Sequence, residues 1–304
     1  MAKNQTVSGL FVGLITLDLI YRVEQFPRPD QKMVALDYGL SAGGPATNAA
    51  ATFSYLGDQA TLLGVLGQHP IRHLIVDDLT QCGVAIADLY PQHDQPPSVS
   101  SILVTHATGE RSVVSLNAAN VQATTDRCPP NILDDVDIVL IDGHQMKVGG
   151  AIARQARDRK LPVVVDGGSW KAGFDQVLRF TDHAICSANF MPPQCNTSND
   201  VFAYLTHQGI SNIAITHGDQ PIQYLTQGRH GELSVPQIKA ADTLGAGDIF
   251  HGAFCHFWLR SRSDPSDPDR FSTALTQASQ VAAFACRSFG TRQWMTKPRT
   301  VVDL

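Results

Sequence analysis

The chain has 304 residues and a formal net charge of −5. This length is near the upper limit for one hydrophobic core, so we expect one large domain with a small appendage rather than two equal domains. The acidic balance argues against general nucleic-acid binding, which needs a basic surface to neutralise phosphates.

Six cysteines are scattered along the chain, and none of them forms a C-x-x-C pair. The spacing therefore indicates neither a zinc site nor a thioredoxin-like site, and free thiols suit a reducing compartment. The apolar run that begins at Leu10 lacks the small-residue cleavage pattern of a signal peptide. No run reaches the length of a membrane span. We therefore expect a cytoplasmic protein without a membrane partner.

Short apolar runs alternate with helical patterns along the chain. In chain order the pattern predicts a strand over 10–15, a helix over 46–56, a strand over 61–65, a helix over 71–82, a strand over 138–141, a helix over 151–159, strands over 163–165 and 184–186, a helix over 201–208, a strand over 213–216, and helices over 249–259 and 273–288. This alternation predicts a three-layer α/β/α sandwich with a mostly parallel central sheet. Ligands of such sheets bind beyond the carboxyl ends of the strands.

Two segments, 19–40 and about 98–116, break this alternation with short extended patterns. The second segment turns at Thr108-Gly109-Glu110 and then resumes as another short strand. We expect the two segments to pair into a small separate sheet. A small sheet with one apolar face needs cover, so it is predicted to act as a lid or to pair two copies of the chain as a homodimer.

The segment 242–248 reads D-T-L-G-A-G-D and stands just before a predicted apolar helix. Its glycines let the backbone approach a ligand closely, and the helix contributes unpaired N–H groups and the positive end of its dipole. An anion hole is therefore predicted at Gly245, Ala246 and Gly247. Phosphoryl transfer needs positioning and charge stabilisation, and Asp248 is placed to accept the hydroxyl proton. From the residues alone, a glycine-rich turn capped by Asp248 remains the alternative.

The string resembles the D-T-x-G-A-G-D signature of the ribokinase-like, or PfkB-type, carbohydrate kinases. A second stretch, Gly43-Gly44-Pro45-Ala46-Thr47-Asn48-Ala49-Ala50, is similar to the G-G-x-x-x-N-x-A signature of the same family. The two stretches occur in the family's order, and the resemblance runs over essentially the whole chain. It implies a single ribokinase-like domain over 1–304, closed by a lid, that phosphorylates a sugar with ATP.

The resemblance also implies roles for individual residues. Asp248 matches the catalytic base of the family. Substrate hydroxyls are expected to contact Asp18, Gly43, Gly44 and Asn48. ATP is expected to contact Thr216, Gly218, Thr243, Gly245 and Gly290. The implied cofactors are ATP and Mg²⁺, with a requirement for a monovalent cation such as K⁺ left open.

Several positions depart from the family pattern, among them the following two. Many members carry an N-x-x-E motif that orients magnesium-bound water, but no glutamate follows Asn189 at the expected place. The protein ligands of the metal are therefore unknown from the sequence. Pro45 stands where some members carry a lysine, so a charged contact to the substrate is lost there.

Three functions stay open at this point. The first is a kinase of a monosaccharide, either a ketohexose such as fructose or a ribose-like sugar. The second is a nucleoside kinase of the adenosine type, in which Phe26 or Tyr38 would stack on the base. The third is a sugar-binding regulatory protein without catalysis, which the missing glutamate motivates and the retention of Asp248 opposes.

Overall fold

The computed structural model describes residues 6–116, 121–261, 267 and 269–298. The strands in these ranges are β1 (Ser8–Val12), β2 (Thr16–Val23), β3 (Asp37–Gly43), β4 (Gln59–Gly64), β5 (Val84–Asp88), β6 (Ser98–Thr105), β7 (Arg111–Ser115), β8 (Ile138–Ile141), β9 (Val163–Gly167), β10 (His183–Ser187), β11 (Asn212–His217), β12 (Gln220–Thr226) and β13 (Arg229–Leu233). The helices are α1 (Pro45–Tyr55), α2 (Arg72–Gln81), α3 (Met146–Asp158), α4 (Phe174–Leu178), α5 (Ser198–His207), α6 (Ala246–Arg260) and α7 (Arg270–Ala285). None of the helices in these ranges is long and apolar enough to cross a membrane.

Nine strands form the large sheet, in the order β13-β12-β11-β10-β9-β8-β1-β4-β5. The seven strands from β11 to β5 are parallel, whereas β12 and β13 add an antiparallel edge. The sheet is therefore mostly parallel, as predicted. Parallel strands end at the same edge of a sheet, so the residues that follow β1, β8, β9, β10 and β11 lie along one edge.

Both faces of the large sheet are buried. Alternate residues of a strand point to opposite faces, and on β1 Phe11 packs into one apolar cluster while Leu10 and Val12 pack into another. The first cluster includes side chains of α1, α2, α6 and α7, and the second includes side chains of α3, α4 and α5. The prediction of a three-layer α/β/α sandwich with a mostly parallel central sheet is confirmed.

The two segments that broke the alternation form a separate four-stranded sheet, in the order β3-β2-β6-β7. We call this sheet the lid. Its central pair, β2 and β6, is parallel, and both outer pairs are antiparallel. Ile20, Ile102 and Val104 lie on one face, where they form a small buried cluster with Phe289. We call this face the inner face.

The opposite, outer face of the lid is exposed and apolar. Because side chains alternate along a strand, residues one position away from Ile20 and its partners point outward. Tyr21 is paired with Tyr38, and Leu19 with Leu40. Tyr38, Leu40 and Val114 are 69, 42 and 73% exposed. The described residues therefore leave apolar side chains exposed on this face.

The predicted elements appear in the predicted order, with shifts at their ends. The strand predicted over 10–15 was wrong at its end, because the chain leaves the large sheet after Val12 and enters the lid at Thr16. Gly13 lies so close to the Asp142 carboxylate that a Cβ there would overlap it. Helix α3 begins at Met146 rather than at residue 151. The edge strands β12 and β13 were not predicted.

Candidate active site

The two sequence signatures meet through one hydrogen bond. Asn48, in the first turn of α1, donates from Nδ2 to Oδ2 of Asp248 over 2.8 Å. The two residues are 200 positions apart in the chain, and they meet because α1 and α6 pack on the same face of the large sheet. An amide buried among alanines is costly without a partner, and Asp248 supplies one.

Asp248 lies in the first turn of α6, which begins after Gly245. Gly245 has φ 72°, a left-handed conformation that favours glycine. A Cβ at Gly247 would meet open space, so the backbone there is accessible to a ligand. The first N–H groups of a helix have no partner within it, although the N–H of Ala246 closes a turn to the Thr243 oxygen at 3.3 Å. An anion that approaches this turn meets N–H groups and the positive end of the helix.

Burial raises the pKa of Asp248 above its ordinary value, and nearby Asp142 acts in the same direction. The hydrogen bond from Asn48 and the charges of His251 and Arg111 oppose this rise. A carboxylate with a raised pKa is a stronger base than an exposed aspartate, provided that it is ionised at the working pH. The structure therefore compensates for the helix N-terminus, which by itself would weaken the base.

Asp18 points from the inner face of β2 toward the same region. It accepts a hydrogen bond from Thr16 Oγ1 at 2.9 Å. Burial raises the pKa of Asp18, which its hydrogen bonds and Arg292 partly counteract, while Asp248 adds repulsion. Gly43 is required beside it, because a Cβ there would overlap the Asp18 carboxylate. Gly44 has φ 106° and leaves no room for a Cβ against the Leu14 oxygen.

A charged pair that the sequence analysis missed lies behind Asn48. Arg292 donates to Asn48 Oδ1 at 2.9 Å and to the Asp78 carboxylate at 3.1 Å. It also donates to the Ala42 oxygen at 2.9 Å. Arg292 is two residues after Gly290, and Asp78 is in α2, so no local motif connects either of them with the site. The sequence signal for Arg292 is that a charged residue follows closely after Gly290, which was predicted to contact ATP.

Two acidic side chains at the edge of the large sheet were also missed. Asp142 follows β8 and accepts backbone N–H bonds from Leu14 at 2.9 Å and from Ala46 at 3.1 Å. It thereby fixes both the β1–β2 connection and the start of α1. Although burial acts to raise the pKa of Asp142, His144 and these N–H bonds hold it below the ordinary value.

The second is Asp166, at the end of β9. Burial raises its pKa to about 6, with repulsion from Asp248 and Asp142 in the same direction. The imidazole of His251 lies beside it, with Nδ1 at 3.5 Å from its carboxylate. Asp142 and Asp166 each directly follow or end a predicted strand, and this position was the available signal for them.

The residues predicted to contact ATP fall into two groups. Thr243 and Gly245 lie in the turn before α6, whereas Gly290 lies in the loop after α7. Asp242 accepts N–H bonds from Leu244 at 2.9 Å and from Gly290 at 2.8 Å. Asp242 therefore ties the two loops together. Thr216 and Gly218 lie at the end of β11, two strands away from β9 on the same edge of the sheet.

The lid contacts this turn directly. Arg111 of β7 donates to the backbone oxygen of Thr243 at 2.7 Å and lies 3.2 Å from its hydroxyl. In the structure it links the lid to the predicted anion hole.

The structure does not identify protein ligands for a metal, which the sequence also left unknown. Over the described ranges, no group of three or more histidine, cysteine, aspartate or glutamate side chains has an arrangement that could hold a metal ion. Asn189 is exposed in a turn after β10. Asp166 is a buried carboxylate at this edge, and Asp248 and Asp142 repel it. A bound cation would relieve this repulsion.

A scan against protein families matches residues 9–298 to the pfkB family of carbohydrate kinases. The chain belongs to this family. The matched residues include both signatures, the lid and the loop that carries Arg292.

Curated relatives of this pfkB-family chain are named kinases of small sugars. Ribokinase of Bacillus subtilis is 22% identical over 303 residues, which is 96% of this chain and 97% of the relative. Deoxyribokinase of Salmonella typhi is 22% identical over 299 residues, covering 92 and 93% of the two chains. An ATP-dependent ribose-1-phosphate kinase of Halopiger xanaduensis is 25% identical over 256 residues, covering 83 and 85%.

Solved structures share the fold of this pfkB-family chain. Ribokinase of Giardia lamblia superposes with a TM-score of 0.82 at 18% identity, covering 98% of both chains. Ribokinase of Arabidopsis thaliana, complexed with ribose and ATP, superposes with a TM-score of 0.74 at 20% identity and covers 98% of both chains. A protein from E. coli in complex with ATP and Mg²⁺ gives a TM-score of 0.75 at 17% identity, again over 98% of both chains.

Proposed function

We propose that this chain transfers the γ-phosphoryl group of ATP to a hydroxyl of a monosaccharide, with Asp248 as the general base. The observation that carries the proposal is the hydrogen bond between Asn48 and Asp248. It joins the segment expected to bind the sugar to the segment expected to bind the phosphates. A hydroxyl held by Asp18 and Asn48 would reach Asp248 from one side while the γ-phosphate reaches the turn of Gly245 and Gly247 from the other.

Each side chain then has a defined task. Asp18 accepts hydrogen bonds from sugar hydroxyls, and Asn48 holds both the sugar and the base. Asp248 takes the proton of the attacking hydroxyl as the bond to phosphorus forms. The N–H groups at the start of α6 stabilise the negative charge on the transferring group. Arg111 closes the lid over the turn, which excludes water that would otherwise hydrolyse ATP.

Mg²⁺ fits this site if ATP brings it in. Magnesium is commonly held by one or two carboxylates together with substrate phosphates, so a complete protein cage is not needed. Asp166 would be the carboxylate on the protein side, since it is buried among other aspartates and has a raised pKa. The metal would neutralise charge on the phosphates and on this acidic edge. Thr216 and Gly218, at the end of β11, would then contact the nucleotide.

The substrate is proposed to be a neutral pentose or ketohexose. Kinases of ribose and deoxyribose are among the relatives over almost the full chain. A sugar phosphate would need a cation that is available beside Gly43 and Asn48. The cation found there, Arg292, is already paired with Asp78, which favours a neutral sugar over a sugar phosphate.

The nucleoside alternative is weaker for a geometric reason. Tyr38 pairs with Tyr21 on the outer face of the lid, whereas Asp18 points from the inner face. A base stacked on Tyr38 would therefore lie across the lid from Asp18. The regulatory alternative requires a site that binds sugar without a working base, and Asp248 retains both its hydrogen bond and its raised pKa.

We also propose that the outer face of the lid pairs two copies of the chain. Tyr38, Leu40 and Val114 give that face an exposed apolar surface, and a surface of this kind on a small sheet is normally covered. A homodimer would cover it without blocking the inner face.

The experiment that tests the function is a substrate panel. Ribose, deoxyribose, fructose, ribose 1-phosphate and adenosine are each supplied with ATP and Mg²⁺, with and without K⁺, and ADP release is measured. We expect a neutral monosaccharide to give the highest kcat/KM. Turnover of adenosine alone would support the nucleoside alternative, and binding of a sugar without ADP release would support the regulatory one.

A further inference from the structure

We propose that Arg292 is a positioning residue that fixes the orientation of the Asn48 amide and, through it, the proton-accepting state of Asp248. The proposal rests on the proposed role of Asp248 as the base. It concerns a residue outside both sequence signatures, in the loop after α7. Four hydrogen bonds and one ion pair carry it, and they form a continuous path from α2 to α6.

The direction of each hydrogen bond follows from chemistry. A guanidinium group has only donors, so the atom of Asn48 that faces Arg292 at 2.9 Å must be the carbonyl oxygen Oδ1. The amide nitrogen Nδ2 must then face Asp248, at 2.8 Å. If the amide were flipped, its nitrogen would face a donor and its oxygen would face a carboxylate. Arg292 therefore selects the amide orientation in which Asn48 donates to the base.

Arg292 is itself held by contacts on the other side. Its Nε donates to Asp78 Oδ2 at 3.1 Å, and its terminal nitrogen donates to the Ala42 oxygen at 2.9 Å. Asp78 Oδ2 also accepts the N–H of Ala42 at 3.0 Å. The planar fork of arginine matches several acceptors at once, which the single ammonium of lysine cannot do. Because Ala42 precedes Gly43, the same group fixes the end of β3 beside Asp18.

The pairing with Asp78 also decides how Arg292 acts. Its charge is largely balanced by a carboxylate 3.1 Å away, and its side chain is only 16% exposed. It is therefore suited to hold an orientation rather than to bind a phosphate. The consequence for Asp248 is electrostatic, because a hydrogen bond donated to a carboxylate favours its ionised form.

Without Arg292 the Asn48 amide is free to rotate, and its oxygen can turn toward Asp248. The base would then lose its donor, and its pKa would rise further from a value that burial already raises. Asp248 acts as a base only when it is ionised. The acid limb of the pH–activity profile, where activity falls as Asp248 is protonated, would therefore move to higher pH. The other charged or titratable groups around Asp248 are His251 of α6, Arg111 of β7, Asp18 of β2, Asp142 after β8 and Asp166 of β9.

The test compares pH profiles of kcat for the wild type and for Arg292→Met, Asn48→Ala and the double variant, each with the best sugar of the panel. We expect Arg292→Met to move the acid limb upward by about one pH unit, the order expected for losing a charge-assisted hydrogen bond. In the Asn48→Ala background the same change should move the limb no further, because Arg292 acts through Asn48. Asp78→Asn, a smaller perturbation, should shift it in the same direction by less.

The matched control is Arg260→Met. Arg260 pairs with the buried Asp58 at the far end of α6, so its loss should lower the melting temperature without moving the acid limb. If Arg292→Met or Asp78→Asn leaves the acid limb in place, or if Arg292→Met shifts it equally with and without Asn48, the positioning role is wrong. Full activity of Asp248→Asn would instead remove the proposed function itself, so the two failures are distinguishable.

Discussion

Replacing Gly43 by alanine is expected to damage sugar binding while sparing the fold. A Cβ built on Gly43 overlaps the Asp18 carboxylate, and even the more distant oxygen lies at 2.5 Å. Ordinary contact begins at 3.4 Å, so the carboxylate has to recede by about 1 Å or rotate away from Thr16. The backbone at Gly43 is not left-handed, so alanine itself is tolerated there.

The size of the effect follows from that displacement. A misplacement of about 1 Å at a positioning group can lower the rate by roughly 100-fold. Loss of the hydrogen bond from Thr16 to the Asp18 carboxylate costs about 1.5–3 kcal/mol. This cost arises from the same displacement of the carboxylate, so the two effects are not additive. We therefore expect kcat/KM for the sugar to fall by about 100-fold, with the KM for ATP changed little because ATP is proposed to bind on the other side of the site.

The assay is ADP release, with the sugar and ATP varied separately and thermal melting as a check on folding. Gly39→Ala is the matched control, because Gly39 lies in the same strand on the same face and a Cβ there would have its nearest neighbour at 3.9 Å. The control should keep wild-type kinetics. Wild-type kcat/KM in Gly43→Ala, or equal losses in both variants, would refute the placement of Asp18 as a sugar ligand.

Two further predictions concern stability and assembly. Burial raises the pKa of Asp166 from 3.8 to about 6, so between these values the folded protein binds a proton that the unfolded chain releases, and stability falls as the pH rises through 6. Asp166→Asn should therefore raise the free energy of unfolding by up to about 3 kcal/mol at pH 7.5, with little gain at pH 4. An equal effect at both pH values would contradict the raised pKa. Val114→Glu places a charge in the outer face of the lid and should convert a dimer into monomers, as measured by light scattering. Ser112→Glu, in the edge strand β7, should have the same effect only if the dimer contact extends along β7. A monomeric wild type would exclude pairing through the lid.

The sequence predicted the parts of the site that lie in short continuous stretches. Gly245 and Asp248 follow from the chemistry of one turn before a helix, whereas Asn48 was implied by the family resemblance. The family resemblance implied that the two stretches share one site, but the hydrogen bond of 2.8 Å between Asn48 and Asp248 was not predicted. The alternation of strands and helices likewise predicted the layers, because apolar runs report burial directly.

The contacts that the sequence could not predict are those between distant, unremarkable positions. Arg292 reaches Asn48 across 244 residues, and its anchor Asp78 lies on a helix with an ordinary polar surface. The change of sheet after Val12 was missed because the apolar run continues through Ile15 without a break. The missing N-x-x-E glutamate remains a departure, and Asp166 is the acidic side chain that the structure offers in that part of the edge.

The most direct test of the proposed chemistry is a pre-steady-state comparison of the wild type with Asp248→Asn. The variant keeps the shape of the side chain and removes its ability to accept a proton. At saturating sugar, ATP and Mg²⁺, we predict that phosphoryl transfer in the variant falls by at least about 1,000-fold, within the range of general-base effects, while the Kd for ATP stays within about threefold of the wild type. Transfer at the wild-type rate would contradict the assignment of Asp248 as the base.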